Sequence, residues 1–318
     1  MRALVTGGAG FIGSALAERL IDDGWSVHVV DALTPYYDER LKRANLAELE
    51  RHGIDRITIG DVGDADLAAL LEGVDVVFNF AAEPGVRPSW DGFDRYVRHN
   101  LTATERLLAA ARHHGIGRFV HASSSSVYGQ ITGSVDEGSP TVPYSPYGVT
   151  KLASELLARA YAENFALPTV TLRLFTVYGP RQRPDMAMHR LLRCALTQTP
   201  FPVFGDGSQI RAFTYVGDVV EAAIAAAGAD IEPGAVFNIS GGSTCSLREV
   251  ITAVEAITGR PVPLAHRAAS PGDVGRTDAD ITSARRHLGW RPATGLASGL
   301  RRQLTVVQDR LGLAIADS

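Results

Sequence analysis

The sequence predicts an α/β fold, in which a doubly wound parallel sheet carries a smaller, interleaved C-terminal lobe. Short apolar runs alternate with amphipathic runs through the first half of the chain, an order typical of parallel strands joined by right-handed crossovers. Residues 74–80 have the apolar character of a parallel strand buried on both faces. Strands are predicted at residues 3–5, 27–30, 56–59, 74–80, 119–122 and 170–175, and helices at residues 12–21, 40–50, 67–71, 100–113 and 151–165.

This alternation breaks after Tyr178, where glycine and proline residues separate shorter elements. Helical patterns return at residues 219–227, 247–257 and 281–288. We therefore predict a first domain at residues 1–178 that also takes in about residues 213–240. The second lobe is predicted within residues 179–318.

Composition excludes several classes of protein. The 318 residues include 31 Lys and Arg against 35 Asp and Glu, a formal net charge of −4. This balance argues against a nucleic-acid partner or an anionic membrane surface, which need a basic surplus. Two cysteines, Cys194 and Cys245, are too few for a disulfide framework or a Cys-rich zinc site. The N-terminus lacks a signal-peptide core, and no apolar run reaches the ~20 residues that cross a bilayer, so we expect a soluble, cytoplasmic protein without a metal.

A glycine-rich loop follows the first predicted strand, at residues 7–13 (GGAGFIG). Glycines at this turn let the backbone approach a pyrophosphate, and the helix that follows offers free N–H groups and a partial positive charge. The second strand ends in Asp31, 18 residues beyond Gly13. An acid there accepts hydrogen bonds from the adenosine ribose and repels a 2′-phosphate, which favours NAD over NADP in a Rossmann-type site. The predicted cofactor residues are Gly7, Gly10, Phe11, Ile12, Gly13 and Asp31.

A second polar pair follows the third predicted strand. Asp61 and Val62 are candidate contacts to the adenine. An ordinary helix cap explains an aspartate at this place equally well.

The catalytic candidates are a Y-x-x-x-K pair and a serine run. Tyr147 and Lys151 are four residues apart, so a helix would carry both on one face. A neighbouring ammonium favours the phenolate form of tyrosine, which then serves as a general base. Residues 123–126 (SSSS) end a predicted strand just before VYG, where ligands of such sheets bind, and Ser124 would share the reacting proton.

The glycine loop, the serine run with VYG and the Y-x-x-x-K pair together resemble the extended short-chain dehydrogenase/reductase family, in its NAD-dependent nucleotide-sugar epimerase/dehydratase branch. The second-lobe segments 211–216 (RAFTYV) and 271–274 (PGDV) are similar too, so the resemblance runs the length of the chain. It implies NAD as the cofactor, a UDP-sugar as the substrate, and a homodimer paired through the helices at residues 100–113 and 151–165.

The same resemblance implies roles for individual residues. The catalytic triad would be Ser124, Tyr147 and Lys151, with Ala81, Ala82 and Asn100 at the cofactor. Phe204 would stack on the uracil, and Arg211 would hold the pyrophosphate with its guanidinium fork. Many epimerases have an arginine where this chain has Ser270, and Arg276 or Arg267 would then replace its phosphate contact.

The motifs also bear on which sugar reacts. A 4,6-dehydratase carries Asp-Glu just before VYG, and UDP-glucuronate decarboxylases usually carry glutamate second; this chain has Ser125 and Ser126. An epimerase needs neither acid. Segments similar to those of UDP-glucuronate 4-epimerases are 36–44 (YYDERLKRA), 81–87 (AAEPGVR), 175–180 (FTVYGP) and 183–187 (RPDMA). The resemblance therefore implies C4 epimerisation of UDP-glucuronate to UDP-galacturonate through a 4-keto intermediate, without decarboxylation.

A glucuronate carboxylate requires hydrogen-bond donors. Arg183 is predicted to bind it, helped by Ser125 and Ser126. Thr176 stands where many sugar epimerases have asparagine, and Arg87 is a second candidate. The alternatives are a surface position for Arg183 and a structural ion pair for Arg87.

Other functions stay open at this point. A UDP-glucose or UDP-N-acetylglucosamine 4-epimerase would carry the same motifs. A UDP-glucuronate decarboxylase is disfavoured by Ser126. A non-catalytic NAD-binding sensor predicts a broken Y-x-x-x-K pair, and the pair is intact.

Overall fold

The computed structural model describes residues 1–130, 133–241, 244–268 and 276–312. Its strands are β1 (Arg2–Thr6), β2 (Ser26–Asp31), β3 (Arg56–Ile59), β4 (Val76–Asn79), β5 (Arg118–Ser124), β6 (Ser134–Val135), β7 (Thr169–Leu174), β8 (Val177–Tyr178), β9 (Phe201–Phe204), β10 (Ile210–Ala212), β11 (Thr214–Tyr215), β12 (Ala235–Ile239), β13 (Thr244–Ser246), β14 (Leu264–Arg267) and β15 (Arg276–Ala279). Its helices are α1 (Phe11–Asp22), α2 (Glu39–Arg51), α3 (Leu67–Leu71), α4 (Phe93–Tyr96), α5 (Ala103–His113), α6 (Pro146–Phe165), α7 (Ala187–Thr197), α8 (Val216–Gly228), α9 (Leu247–Thr258), α10 (Thr282–His287) and α11 (Leu296–Arg310).

The main sheet has seven parallel strands in the order β3-β2-β1-β4-β5-β7-β12. Helices cover both faces, which confirms the predicted doubly wound α/β fold. Successive residues of a strand point to opposite faces. Ala3 and Val5 of β1 accordingly pack into one apolar cluster, with α1 and α8, and Leu4 packs into the other, with α3 and α5.

The last strand of this sheet comes from far along the chain. β12 pairs with β7 at the sheet edge, and α8, just before it, packs on α1. The chain leaves the sheet after β7, builds part of the second lobe, and returns. The domain boundaries themselves stay a prediction.

The other strands of the described residues form three smaller sheets, and all of them except β6 follow β7 along the chain. A four-stranded sheet has the order β13-β10-β15-β6, and two-stranded sheets pair β9 with β14 and β8 with β11. Helices α7, α9 and α11 pack on one another beside them. No helix among the described residues has the length and apolar character to cross a membrane.

Candidate active site

Two adjoining cavities lie at the carboxyl ends of the main strands. We call the first the inner groove; it is lined by residues that include Gly7, Gly10, Phe11, Ile12, Gly13, Asp31, Asp61, Val62, Ala81, Ala82, Ser123, Tyr147, Lys151 and Arg183. We call the second the outer cleft; it is lined by residues that include Arg87, Trp90, Phe93, Ser125, Ser126, Tyr144, Val149, Thr176 and Arg211. The serine run thus leads from one cavity to the other.

Glycine is required at two positions where β1 leads into α1, at Gly7 in the loop and at Gly13 in the first turn of the helix. Gly7 has φ +71°, and a Cβ there would lie 2.9 Å from the backbone N and Cα of Ala81. A Cβ on Gly13 would lie 2.2 Å from the carbonyl oxygen of Gly7. Gly10, at the N-cap of α1, has no side chain to cap the helix, so the groove wall here is bare backbone with N–H donors. This cradle fits the pyrophosphate of a dinucleotide.

Asp31 lies at the carboxyl end of β2 with its carboxylate held in place. It accepts hydrogen bonds from the backbone N–H groups of Ala9, at 3.1 Å, and Leu33, at 2.8 Å. The side chain lines the inner groove beside the glycine loop. A fixed carboxylate at this end of the groove suits the hydroxyls of an adenosine ribose.

Asp61 lies at the inner groove, but it is not the cap of α3, the helix that follows it. It lines the inner groove with Val62, and its carboxylate also accepts a hydrogen bond from the Gly63 N–H at 2.8 Å. Arg98 pairs with the same carboxylate at 3.0 Å. Asp66, not Asp61, caps α3.

Asn100 lies behind the groove wall, not in it. Its carboxamide accepts a hydrogen bond from the Glu83 N–H and donates to the Glu83 carbonyl and the Thr150 hydroxyl. These bonds fix the loop after β4 against the start of α6. The role of Asn100 near the cofactor stays a prediction.

Tyr147 and Lys151 both lie in α6, which begins at Pro146 rather than at residue 151 as predicted. Ser145 caps the helix by accepting a hydrogen bond from the Gly148 N–H at 3.1 Å. The two side chains meet the inner groove from consecutive turns, and Lys151 is only 3% exposed. The ring of Tyr147 packs edge-on against Tyr96, with 6.2 Å between ring centroids.

Burial raises the pKa of the Tyr147 phenol above its usual range. The Ser124 hydroxyl, which hydrogen-bonds the phenol, and the nearby charge of Arg183 lower the same pKa and offset part of this shift. Burial also lowers the pKa of the Lys151 ammonium to about 8, although the Glu155 carboxylate opposes that shift. The charge of Arg183 thus lowers the Tyr147 pKa. From the sequence, Arg183 was predicted only to bind the sugar carboxylate.

Arg183 is 19% exposed and lines the inner groove, so the surface alternative is wrong. Its Nε and Nη2 donate to the Asp185 carboxylate at 3.0 Å each. Its guanidinium lies over the ring of Tyr36, 5.5 Å from the centroid. The charge is therefore held at the groove by two neighbours.

The outer cleft brings together most of the other predicted substrate residues. Arg87 lies over the ring of Phe204, 4.8 Å from the centroid, and so joins the loop after β4 to β9. Arg211 and Thr176 contribute to the same wall. Arg276 is the first residue of β15, but its side chain is not described. Ser270 and residues 271–274 lie outside the described residues.

Several polar groups at these cavities were not predicted. Tyr36, Lys42 and Glu83 line the inner groove, and the Lys42 ammonium donates to the Thr34 carbonyl at 2.9 Å. Glu155 lies one turn beyond Lys151. Tyr36, Lys42 and Glu83 lie in segments that resemble the family. Their place at the groove cannot be read from one sequence.

A doubly wound sheet with a glycine cradle, an acid at the end of β2 and a Tyr-Lys-Ser group defines a dinucleotide-dependent enzyme of the short-chain dehydrogenase/reductase type. Residues 3–240 match the model of the NAD dependent epimerase/dehydratase family, and the chain belongs to that family. NAD is its cofactor.

Individual relatives are similar over nearly their whole length. An uncharacterized UDP-glucose epimerase, YtcB of Bacillus subtilis, is 45% identical over 96% of this chain and 97% of its own. A UDP-glucuronate 4-epimerase of Thermodesulfobacterium geofontis is 34% identical over 98% and 97%. The crystal structure of UDP-glucuronic acid 4-epimerase from Bacillus cereus with UDP-glucuronic acid and NAD is 40% identical, with a TM-score of 0.94 over 98% and 100%.

Proposed function

We propose that this chain epimerises UDP-glucuronate at C4 to UDP-galacturonate, without loss of CO2. The observation that carries the proposal is that Arg183 and Tyr147 line the same inner groove, where the Arg183 charge lowers the pKa of the Tyr147 phenol. A sugar whose 4-hydroxyl meets Tyr147 has C6 only two carbons away. A carboxylate at C6 would then lie within reach of Arg183.

The proposed chemistry assigns one task to each group. NAD, when bound, would supply the hydride chemistry at C4 of the sugar. Tyr147 takes the proton of the 4-hydroxyl, Ser124 shares that proton, and Lys151 favours the phenolate. Gly7, Gly10 and Gly13 would hold the pyrophosphate of the dinucleotide, and Asp31 its adenosine ribose.

The carboxylate must be gripped because the 4-keto sugar is a β-keto acid, which loses CO2 readily. A guanidinium has five N–H donors, of which Asp185 takes two, so donors remain for a substrate carboxylate. Ser125 and Ser126 add hydroxyl donors from the outer cleft. This grip would hold the C5–C6 bond in an orientation that resists cleavage.

The nucleotide end of the substrate is assigned to the outer cleft. Arg211 and Arg87 would bind the phosphates as charge-assisted pairs, with Arg276 as a further candidate. Phe204 would stack on the uracil. Because Arg87 now lies over the Phe204 ring, binding on that ring face requires Arg87 to move.

The test is to incubate the NAD-loaded enzyme with UDP-glucuronate and separate the products. UDP-galacturonate without CO2 is expected, and UDP-xylose or no turnover would contradict the proposal. Tyr147→Phe should abolish turnover and leave NAD bound. Arg183→Ala should lower kcat/KM for UDP-glucuronate about 30-fold more than for UDP-glucose, roughly 2 kcal/mol for a lost charge-assisted contact. The effect of the Arg183 charge on the Tyr147 pKa is common to both sugars, and only UDP-glucuronate has the carboxylate. Arg301→Ala, at an exposed position of α11, is the matched control and should change neither.

The second candidate is a UDP-glucose 4-epimerase. The name of the relative that is 45% identical favours it. Turnover of UDP-glucose with none of UDP-glucuronate would select this alternative. Equal losses for both sugars in Arg183→Ala would also speak against the carboxylate role.

The proposal extends to the protein in the cell. We propose a homodimer that pairs through α5 and α6. Cys194 and Cys245 are free thiols in the structure, which fits the reducing cytoplasm that we propose as its location.

A further inference from the structure

A third ionisable side chain follows the pair on α6. Tyr147, Lys151 and Glu155 recur every four residues, a spacing that places all three on one face of the helix. Glu155 is 4% exposed. A buried carboxylate costs free energy of folding unless an opposite charge and hydrogen bonds compensate for its lost hydration.

Glu155 is held from two neighbouring strands of the main sheet. Arg173 of β7 forms a buried ion pair with it, and the Arg173 Nε donates to both carboxylate oxygens at 3.1 Å. The Ser123 hydroxyl of β5 donates to the same carboxylate at 3.0 Å. Ser123 also lines the inner groove, so the support of Glu155 reaches the wall of the cofactor site.

We propose that Glu155 is a positioning residue that supplies the counter-charge by which Lys151 stays protonated under Tyr147. The inference rests on Tyr147 being the base of the proposed function. Arg173 sets the strength of this counter-charge, because its own positive charge cancels part of the Glu155 field at Lys151. The Y-x-x-x-K pair thus continues as Y-x-x-x-K-x-x-x-E.

The groups around Lys151 support this assignment. Burial lowers the pKa of Lys151 to about 8, and the Glu155 carboxylate raises that pKa. From β5, His121 also faces Lys151, and its pKa is held well below the usual range by burial and by the Lys151 charge. His121 is therefore neutral, and Tyr147 is uncharged until it loses its proton. The Arg183 charge lowers the Tyr147 pKa.

The proposal predicts that replacing Glu155 and replacing Arg173 shift the pKa of Lys151 in opposite directions. Glu155→Gln removes the negative charge, so the pKa of Lys151 should fall. Arg173→Gln leaves the Glu155 field uncancelled, so the pKa of Lys151 should rise. A purely structural ion pair would damage the enzyme in the same sense in both variants.

The measurement is the pH titration of the Lys151 side-chain nitrogen, followed by NMR in the NAD-loaded enzyme labelled with 15N-lysine, with the same variant carrying Lys151→Arg to identify the signal. We expect the Lys151 midpoint to move by about one pH unit, downward in Glu155→Gln and upward in Arg173→Gln, and the alkaline limb of the kcat profile to move with it. Equal midpoints, or shifts of the same sign, would overturn the proposal.

Each single variant leaves a buried charge without its partner, which costs several kcal/mol and can prevent folding. The double variant Glu155→Leu with Arg173→Met removes both charges together. It should fold and show the Lys151 shift of Glu155→Gln at reduced size; a wild-type Lys151 midpoint in this variant would equally overturn the proposal. Because the titration uses no substrate, it decides the matter even when UDP-glucuronate is not turned over.

Discussion

At the residue scale, one added carbon at Gly13 should weaken cofactor binding in a protein that still folds. Its Cβ would meet the Gly7 carbonyl oxygen at 2.2 Å, and backbone cannot swing aside as a flexible side chain does. Gly13→Ala should therefore displace the glycine loop and weaken NAD binding at least about tenfold, or roughly 1.4 kcal/mol. The NAD content of the purified protein and a titration of the apoenzyme with NAD measure this.

Gly228→Ala is the matched control. A Cβ at Gly228, at the end of α8, would meet nothing within 4 Å, so this variant should keep its NAD. Unchanged NAD affinity in Gly13→Ala would show that the loop tolerates a side chain.

Candidate residues that are recognised by their spacing along the sequence could be predicted. The glycine loop, Asp31, Tyr147 and Lys151 stand at fixed spacings that any helix or strand converts into geometry. Arg183 was assigned to the sugar carboxylate, but its effect on the Tyr147 pKa comes from its charge at the same groove in the folded chain. Such contacts, like the one that places Asn100 on the Glu83 backbone, depend on packing between distant segments.

At the element scale, a row of polar side chains crosses the sheet beneath the groove. Strand register sets Thr6 beside Asn79, and Asn79 beside His121. Asn79 Nδ2 contacts His121 Nδ1 at 3.2 Å, and His121 Nε2 contacts the Ser154 hydroxyl at 3.0 Å. Because the Asn79 amide donates, Nδ1 must accept, and Nε2 carries the proton toward α6.

This row makes the stability of the fold depend on pH through His121. Its folded pKa lies well below 6.5, while the unfolded chain takes up a proton near that pH. Stability is therefore full above about pH 6.5 and falls below it, by up to about 1.4 kcal/mol per pH unit for this one group. Denaturant unfolding of wild type and His121→Gln between pH 7.5 and 5.5 (about two units) measures the difference.

His28 and His189, whose pKa values are each lowered to about 4 by burial, destabilise both proteins alike in acid. The difference in slope between wild type and variant therefore isolates His121. Parallel slopes would mean that His121 does not control this part of the acid response.

Most elements of the main sheet were predictable, because buried parallel strands and amphipathic helices leave clear patterns. The start of α6 was placed five residues late, although Ser145 and Pro146 are typical N-cap and first-turn residues. Residues 97–102, predicted in part as regular helix, form a π-helical segment in front of α5. Helices α7 and α11 were not predicted, because their apolar faces pack within a lobe whose outline the sequence did not reveal.

At the scale of the whole molecule, α6 presents an apolar face to solvent. Val149 and Leu156, seven residues apart on one side of the helix, are 46% and 55% exposed. In the proposed homodimer this face is buried against the partner subunit. Leu156→Glu should therefore yield a monomer, or raise the dimer dissociation constant at least about 100-fold, equivalent to about 2.7 kcal/mol.

Light scattering across a concentration series measures this change in mass. Leu264→Glu, at a 41% exposed position on β14, is the control and should leave the mass unchanged. A monomeric wild-type protein would refute the dimer itself.

The return of the chain to β12 has a consequence for synthesis. Until residues 235–239 have left the ribosome, β7 stays an open edge with a row of unpaired backbone N–H and C=O groups. About 60 residues must be translated between these two strands, roughly 3 to 12 s at typical elongation rates. During that interval the nascent chain exposes a strand edge that can pair with other chains. Ribosome stalling within the predicted second lobe should therefore promote aggregation more than stalling after α8 and β12 have docked.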